Sequence, residues 1–431
     1  MLREREEAHL PGSSPVDPAT RTVTGSASTA FLLSHSGWDP WERLAWVVWA
    51  AVLTIVVLRG WLSPSNSVYP IYAQAARDWL AGHDLYLMRG SPYRYSPPVA
   101  AMFIPLSLLG DAPGGTLWRL ANFISYLAGL CWFLHAVVLG GGASQQRGIL
   151  LLLIIPLSVG SLNNAQSNPL ILGMLLAALA AAKSRRLFLS SGLIAWACLF
   201  KVYPIAVGLL LGLHYRRSFL FPLMLWLLLG LAFPFALKDS SFVAHQYSGW
   251  LHHLRTDDRQ GLPVDVWYRD LRLLCRVCRI PLTSETYLWV QLAVAVGIAA
   301  ICWKASRSHQ NDRNLLIMIL GLASCWMTLF GSATESCTYI LLAPSLCWAL
   351  LNSWSRPTSH MERWSVTASF VLFTFTQAVV WFPGSKAVHA LGLHPLAALL
   401  FFMPFLLSTF SNRGLTETGK SYPVCQASRA A

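Results

Sequence analysis

Three long apolar runs, Leu44 to Leu62, Phe219 to Leu237 and Leu391 to Phe410, constrain this chain more than any other feature. Each approaches the ~20 residues needed to cross ~30 Å of hydrocarbon. Lipid offers no partner to an open strand edge, so the runs are expected to be helical. Charged residues make up 12% of the chain, against roughly 25% in a soluble domain, which fits an all-α integral membrane protein. Several tryptophans (Trp41, Trp61, Trp118, Trp250, Trp381) fall at expected helix ends, where interfacial anchoring accounts for them. The net charge of +13 is explained by cationic loops that set topology and meet anionic headgroups. No nucleic-acid-binding motif accompanies it.

Positive charge orients the spans. Tight turns carry Lys183, Arg185 and Arg186; Arg216 and Arg217; Lys304, Arg307 and Arg313; Arg356 and Arg363. With these inside, the polar stretches 63–114, 163–167, 238–284, 331–335 and 383–389 fall outside. Pro97 to Leu109 is apolar but too short to cross, so it reads as a helix in the outer interface. Twelve spans result: 44–62, 115–139, 147–162, 166–182, 187–200, 203–214, 218–237, 285–304, 312–330, 335–353, 364–382 and 390–410. The short pair 187–200 and 203–214 reads either as two crossings or as a hairpin dipping into the membrane from the cytoplasmic side, with Lys201 and Pro204 at its turn; Lys201 reaches the outer face only in the first reading. The organisation is then a disordered cytoplasmic tail (1–42), a polytopic domain (43–411) and a cytoplasmic C-terminal tail (412–431), with both termini inside. The tail lacks an apolar signal core, and the first span serves as an uncleaved anchor.

Candidate chemistry gathers in the outer stretches. In the first loop, Tyr72, Ala75, Ala76, Trp79 and Leu80 recur at helical spacing and Gly82 stops the helix. Its charges, Arg77, Asp78, Asp84 and Arg94, are the kind that line something polar. Glu335 stands at the mouth of a span, where an ionisable group is a functional candidate; capping of the following helix by Thr334 or Ser332, with Glu335 complementing its dipole, is the alternative and is compatible. In the second loop, Arg269, Arg272, Arg276 and Arg279 share a spacing of 3, 4 and 3 residues, one helix face, which suits headgroups or a phosphate clamp. His252-His253 with Asp257-Asp258 fits no standard metal spacing, and Cys275-x-x-Cys278 stands without a second pair. No metal or cofactor is expected; a divalent ion has no support in the sequence.

The first loop also carries a family resemblance. Tyr72, Ala75, Ala76, Leu80, Gly82, Tyr86, Tyr95, Pro97, Pro98, Ala101 and Pro105 follow a pattern that resembles glycosyltransferase family 87, the polyprenyl-phosphate-mannose-dependent α-mannosyltransferases of the GT-C superfamily. Asn164-Ala-Gln166-Ser-Asn168 resembles the family's Gln-x-Asn, and Lys201-Val-Tyr-Pro204 its Lys-x-x-Pro span. The family usually has an Asp at the start of the first-loop helix, the position expected to act as general base. Here that stretch reads Ser67-Val68-Tyr69, with no carboxylate.

The resemblance implies a GT-C-like bundle that moves a hexose, mannose in the family, from a lipid-phosphate-linked donor to a glycan or glycolipid acceptor on the non-cytoplasmic face of a bacterial plasma membrane. Membrane lipids and these two substrates are the expected partners, and nucleic acid is not. A transferred hydroxyl proton needs a carboxylate, for which Glu335, or Asp78, is the candidate. The donor phosphate falls to Lys201, Arg94, Arg269 and Arg272, sugar hydroxyls to Gln166 and Asn168, and sugar stacking to Tyr72 and Tyr95. Two rivals remain: a flippase for a lipid-linked substrate, and a non-catalytic relative. Spans nearly free of acids, with polar residues at one face, favour surface chemistry over transport.

Overall fold

The computed structural model describes residues 39–87, 93–139, 144–308, 311–331, 333–379 and 385–410. Most of the expected N-terminal tail, the C-terminal tail and Ser332 lie outside them. Among the described residues there is no strand. The helices run α1 (Pro40–Leu62), α2 (Tyr69–Ala81), α3 (Pro97–Met102), α4 (Ile104–Ser107), α5 (Asp111–Phe133), α6 (Ser144–Asn163), α7 (Asn168–Lys183), α8 (Leu187–Phe200) and α9 (Ile205–Tyr215). They continue as α10 (Arg217–Ala232), α11 (Ser240–Thr256), α12 (Leu271–Val277), α13 (Ser284–Arg307), α14 (Asp312–Leu329), α15 (Ala343–Ser355), α16 (His360–Val379), α17 (Ser385–Ala390) and α18 (Leu393–Phe410). A π-helical turn extends α5 to Leu139, and a 3-10 segment, Ser336–Leu342, leads into α15.

Each of the twelve expected spans overlaps a helix, but among the described residues length and hydropathy qualify seven to cross a membrane. Those are α1, α5, α6, α10, α13, α14 and the 3-10 segment with α15. Helices α7, α8, α9 and α18 are apolar but shorter. The bundle has a centre and a rim. The apolar window of α14 is 83% buried within the protein, whereas that of α13 is 17% buried and those of α1 and α10 are 22% buried. The rim helices turn their apolar faces outward, as expected of helices in lipid.

The first long loop follows the periodicity of its sequence. Helix α2 buries Tyr69, Tyr72, Ala73, Ala75, Ala76 and Trp79, and Gly82 ends it in the left-handed conformation at φ 75°. The expected helix over Pro97 to Leu109 divides at Phe103 into α3 and α4. Pro105 has no N–H for the carbonyl of Ala101, which breaks the ladder there. Its first half is not laid on a surface: Pro97 to Ala101 are buried, packed against α2, α8 and α11.

Close approach of α5 to α7 fixes the start of α7, and with it the Gln-x-Asn segment. A Cβ on Gly129 would lie 2.1 Å from the Gly173 carbonyl oxygen, and one on Gly173 would lie 2.3 Å from that of Ser125. Small residues permit this backbone contact between apolar helices. Gly173→Leu is expected to cost more than the roughly 1–3 kcal/mol of ordinary overpacking and to lower the thermal midpoint in detergent. Gly297→Leu, on the open face of α13 where no atom lies within 4 Å, is the matched control and should leave it unchanged.

Candidate active site

Three breaks in the helical ladder converge at one end of the bundle. Helix α8 stops at Phe200 because Pro204 cannot donate to the carbonyl of residue 200, and Lys201 turns extended (φ −147°, ψ 138°). The adjoining Leu199 carbonyl is taken by the Ser96 hydroxyl at 2.5 Å, which brings Arg94 and Tyr95 beside Lys201. Between α6 and α7, Ala165 sits at φ 53°. Its carbonyl accepts from Trp118 Nε1 at 2.8 Å, and Asn164 O accepts from Val68 N–H at 3.0 Å. Beyond α14, Ala333 sits at φ 55°, Thr334 O accepts from Arg269 N–H at 2.7 Å, and Glu335 follows.

These segments enclose a cavity of about 160 Å³. Arg94, Tyr95, Gln166, Lys201, Tyr203, Trp250, His253, Asp257 and Glu335 face it, with Val68, Ile71, Phe200, Val202 and Leu254 as apolar lining. Glu335 is its hub. Oε2 accepts from Gln166 Nε2 at 2.8 Å. Oε1 accepts from Arg259 Nη2 at 3.3 Å and lies 3.9 Å from Arg94 Nη1. Behind Gln166 the chain of bonds continues: Asn168 Nδ2 donates to Gln166 Oε1 at 2.6 Å, and Tyr203 OH donates to Asn168 Oδ1 at 3.1 Å. The amide orientations are those that satisfy this network. Burial acts to raise the Glu335 pKa, but Lys201, the Gln166 hydrogen bond, Arg259 and Arg94 together hold the carboxyl below its usual 4.5.

A second carboxylate faces the same cations. Asp257 Oδ2 lies 3.3 Å from Arg94 Nε and accepts from Tyr268 OH at 2.6 Å. Arg259 stacks on the Tyr268 ring, 4.2 Å from its centroid. Lys201 differs from the arginines. Among the described residues its ammonium makes no hydrogen bond or ion pair, and its ring contact is Tyr203 at 5.6 Å. Burial lowers its pKa, and Glu335 opposes that fall. Burial also lowers the His253 pKa, so that ring is neutral near pH 7. Three cations against two carboxylates leave one positive charge in excess.

Six of the ten residues singled out in the sequence (Arg94, Tyr95, Gln166, Asn168, Lys201, Glu335) are thus brought together, Asn168 as the support behind Gln166. The others need correction. Tyr72 is fully buried between Tyr95, Phe103 and Trp118, so it backs the wall and cannot stack on a ligand. Asp78 lies in a separate hollow, bonded to Gln74 Nε2 at 2.9 Å and 3.6 Å from His83. Arg269 precedes α12, donating to the carbonyls of Val264 and Asp265, and Arg272 stacks on Tyr287. The four-arginine face does not form, because α12 has seven residues and Arg279 turns to φ 58°. The expected cap is also different: Glu335 itself is the N-cap of the 3-10 segment, its N–H donating to Thr338 Oγ1 at 3.2 Å.

The sequence reading missed Arg259, Tyr203, Tyr268 and Trp250 as site residues. It noted His253 and Asp257 only as part of a metal pattern. Among the described residues no cluster of three His, Cys, Asp or Glu side chains is placed to hold a metal.

A helical membrane bundle that closes a cavity of acids and cations at one end is the setting for a membrane glycosyltransferase, and the sequence supplies the family. The pattern of glycosyltransferase family 87 matches residues 93–332, more than half of the 431 residues, and the chain belongs to that family. Among solved structures, ArnT from Cupriavidus metallidurans bound to undecaprenyl phosphate is 15% identical, covering 84% of this chain and 77% of that one at a TM-score of 0.43. The apo form of the same protein is 13% identical, with 90% and 78% covered and a TM-score of 0.40. Among curated proteins the sequence finds no match.

The depressed Glu335 pKa makes a stability claim. A carboxylate whose folded pKa lies below its unfolded value, about 4.3, contributes stability above that value and loses it as pH falls through the folded pKa. Thermal midpoints of wild type and Glu335→Gln in detergent should therefore differ most near pH 7 and converge at strongly acid pH. A gap that does not change with pH would contradict the assignment.

Proposed function

We propose that the cavity transfers a hexose from a polyprenyl-phosphate donor to a glycan or glycolipid hydroxyl, with mannose as the sugar that the family implies. The observation that carries this reading is the excess cation. Lys201 has no carboxylate of its own within 4 Å among the described residues, yet it sits beside Glu335 in a cavity with apolar walls. A lipid phosphate supplies the missing anion, and Val68, Val202 and Leu254 give its first prenyl units an apolar exit. The loops around the cavity are those that the distribution of Lys and Arg assigns to the non-cytoplasmic side of a plasma membrane.

In this reading Lys201 and Arg94 hold the phosphate and stabilise the charge that develops on it as the sugar leaves. Glu335 is the base for the acceptor hydroxyl. The glycosidic C–O bond to phosphate breaks, the acceptor oxygen bonds to the anomeric carbon, and its proton passes to the carboxylate. Glu335 stands in for the acid that the family carries at the start of α2. Val68, at that helix start, lines the same cavity as Glu335. A carboxylate held by three cations is a weak base. An entering phosphate engages Lys201 and Arg94, loosens their hold and raises the basicity of Glu335 in the occupied site. Proton transfer is thereby coupled to donor binding.

Glu335→Gln is expected to lower kcat by about 10²–10⁴-fold, the usual contribution of a positioned acid or base, with a smaller change in donor KM. Lys201→Ala should raise donor KM, and the acid limb of kcat should lie at higher pH than that of kcat/KM. Full transfer by Glu335→Gln, with labelled polyprenyl-phosphate sugar followed into product, removes Glu335 as the base.

A further inference from the structure

Helix α11, with Asp257 as its C-cap, forms one wall of the cavity. It is amphipathic in an unusual way. Gln246, Trp250, His253 and Asp257 follow one another at helical spacing; the last three face the cavity, and Gln246 is fully buried. Two of the three carry polar atoms without partners. Trp250 Nε1 and His253 Nε2 are both shielded from solvent and make no hydrogen bond. The His253 nitrogen has only a distant approach, 4.0 Å, to Asp257 Oδ2. Leaving a buried polar atom unmade costs roughly 1–3 kcal/mol, and two such atoms on one wall of one cavity are not explained by packing.

The chemistry of the missing partner can be read from the wall. The indole N–H only donates, the neutral imidazole nitrogen donates or accepts according to its tautomer, and the Asp257 carboxylate only accepts. A ligand that satisfies all three must both accept and donate at close spacing while presenting an apolar face to the aromatic rings. A phosphodiester does not, because it offers only acceptors and has no O–H to give the Asp257 carboxylate. A neutral ring bearing several hydroxyls does. Tyr86 holds the wall in register: its ring stacks on His253 at 6.4 Å, packs 3.0 Å from where a Cβ on Gly249 would lie, and its hydroxyl donates to Tyr95 O at 2.8 Å.

We infer that Trp250, His253 and Asp257 form a pyranose-binding wall in the cavity that also holds the proposed phosphate-binding residue Lys201. The inference rests on the transferase reading and deepens it. The wall recognises the sugar, and the hub recognises the phosphate. The ring it holds is either that of the donor or the terminal one of the acceptor, since both present the same chemistry.

The experiment compares wild type, Trp250→Phe and Trp250→Ala in full-length detergent-purified protein. Each is titrated with undecaprenyl phosphate and with undecaprenyl-phosphate mannose, and donor and acceptor KM are measured with octyl α-mannoside as acceptor. For Trp250→Ala the expected result is unchanged affinity for the bare lipid phosphate with about tenfold weaker use of one sugar-bearing substrate, which corresponds to about 1.4 kcal/mol. Trp250→Phe, which keeps a ring but not the donor, should fall between. A rise in donor KM with weaker binding of the mannosyl lipid assigns the wall to the donor sugar; a rise in acceptor KM alone assigns it to the acceptor. Equal loss of affinity for both lipids, or no change in either KM, overturns the inference. Wild-type protein that does not transfer from the mannosyl lipid and binds it no better than bare undecaprenyl phosphate overturns instead the transferase reading on which it rests.

Discussion

The Glu335 carboxylate is the interaction on which the site depends. It draws on four parts of the chain that are far apart in sequence: Arg94 in the first long loop, Gln166 before α7, Lys201 at the α8–α9 break and Arg259 in the second long loop. Three cations around one cavity repel one another, and only Glu335 and Asp257 offset them. Such a cluster is stable as a network and costly when one carboxylate is removed. The same network holds the Glu335 carboxyl below its usual pKa, a state suited to the proposed base, which would work only once an anion has arrived.

Short flanking helices set the position of Lys201. Helices α8 and α9 have 14 and 11 residues, or roughly 21 and 17 Å at 1.5 Å per residue, short of the ~30 Å of hydrocarbon. Their far ends meet a common partner, since Arg185 and His214 both pair with Asp312 at 3.0 and 3.6 Å. The pair is a short-limbed hairpin with Lys201 at its turn. Lys201 and Glu335 line one cavity with apolar walls, where electrostatic interactions are screened less than at an open surface, and the Gln166–Asn168–Tyr203 chain of hydrogen bonds braces its amide side.

Much of this was legible in the sequence where the physics is local. The period of α2, its Gly82 stop and the Lys-x-x-Pro break all depend on neighbouring residues, and each appears as expected. Gln166 and Glu335 were legible as neighbours through topology, because the distribution of positive charge put both at the outer face; Lys201 joined them there only in the reading in which 187–200 and 203–214 both cross. The second long loop was not. Arg269 to Arg279 has helical spacing, but Asp270 caps a helix of only seven residues and the chain turns at Arg279. Arg259 and Asp257 owe their roles to contacts with Glu335 and Arg94, partners 76 and 163 residues away, for which no local pattern exists. Tyr72 illustrates the converse: an aromatic residue on a functional helix, correctly placed on its face, that is consumed by packing.

The central claim is that the cavity receives a lipid phosphate on Lys201 within reach of Glu335. A structure of the protein with undecaprenyl-phosphate mannose bound tests it most directly. The phosphate is expected at hydrogen-bond distance from the Lys201 ammonium, with the mannose between it and the face of α11 that carries Trp250. A phosphate held instead by Arg272 and Arg276, with Lys201 unengaged, would contradict it.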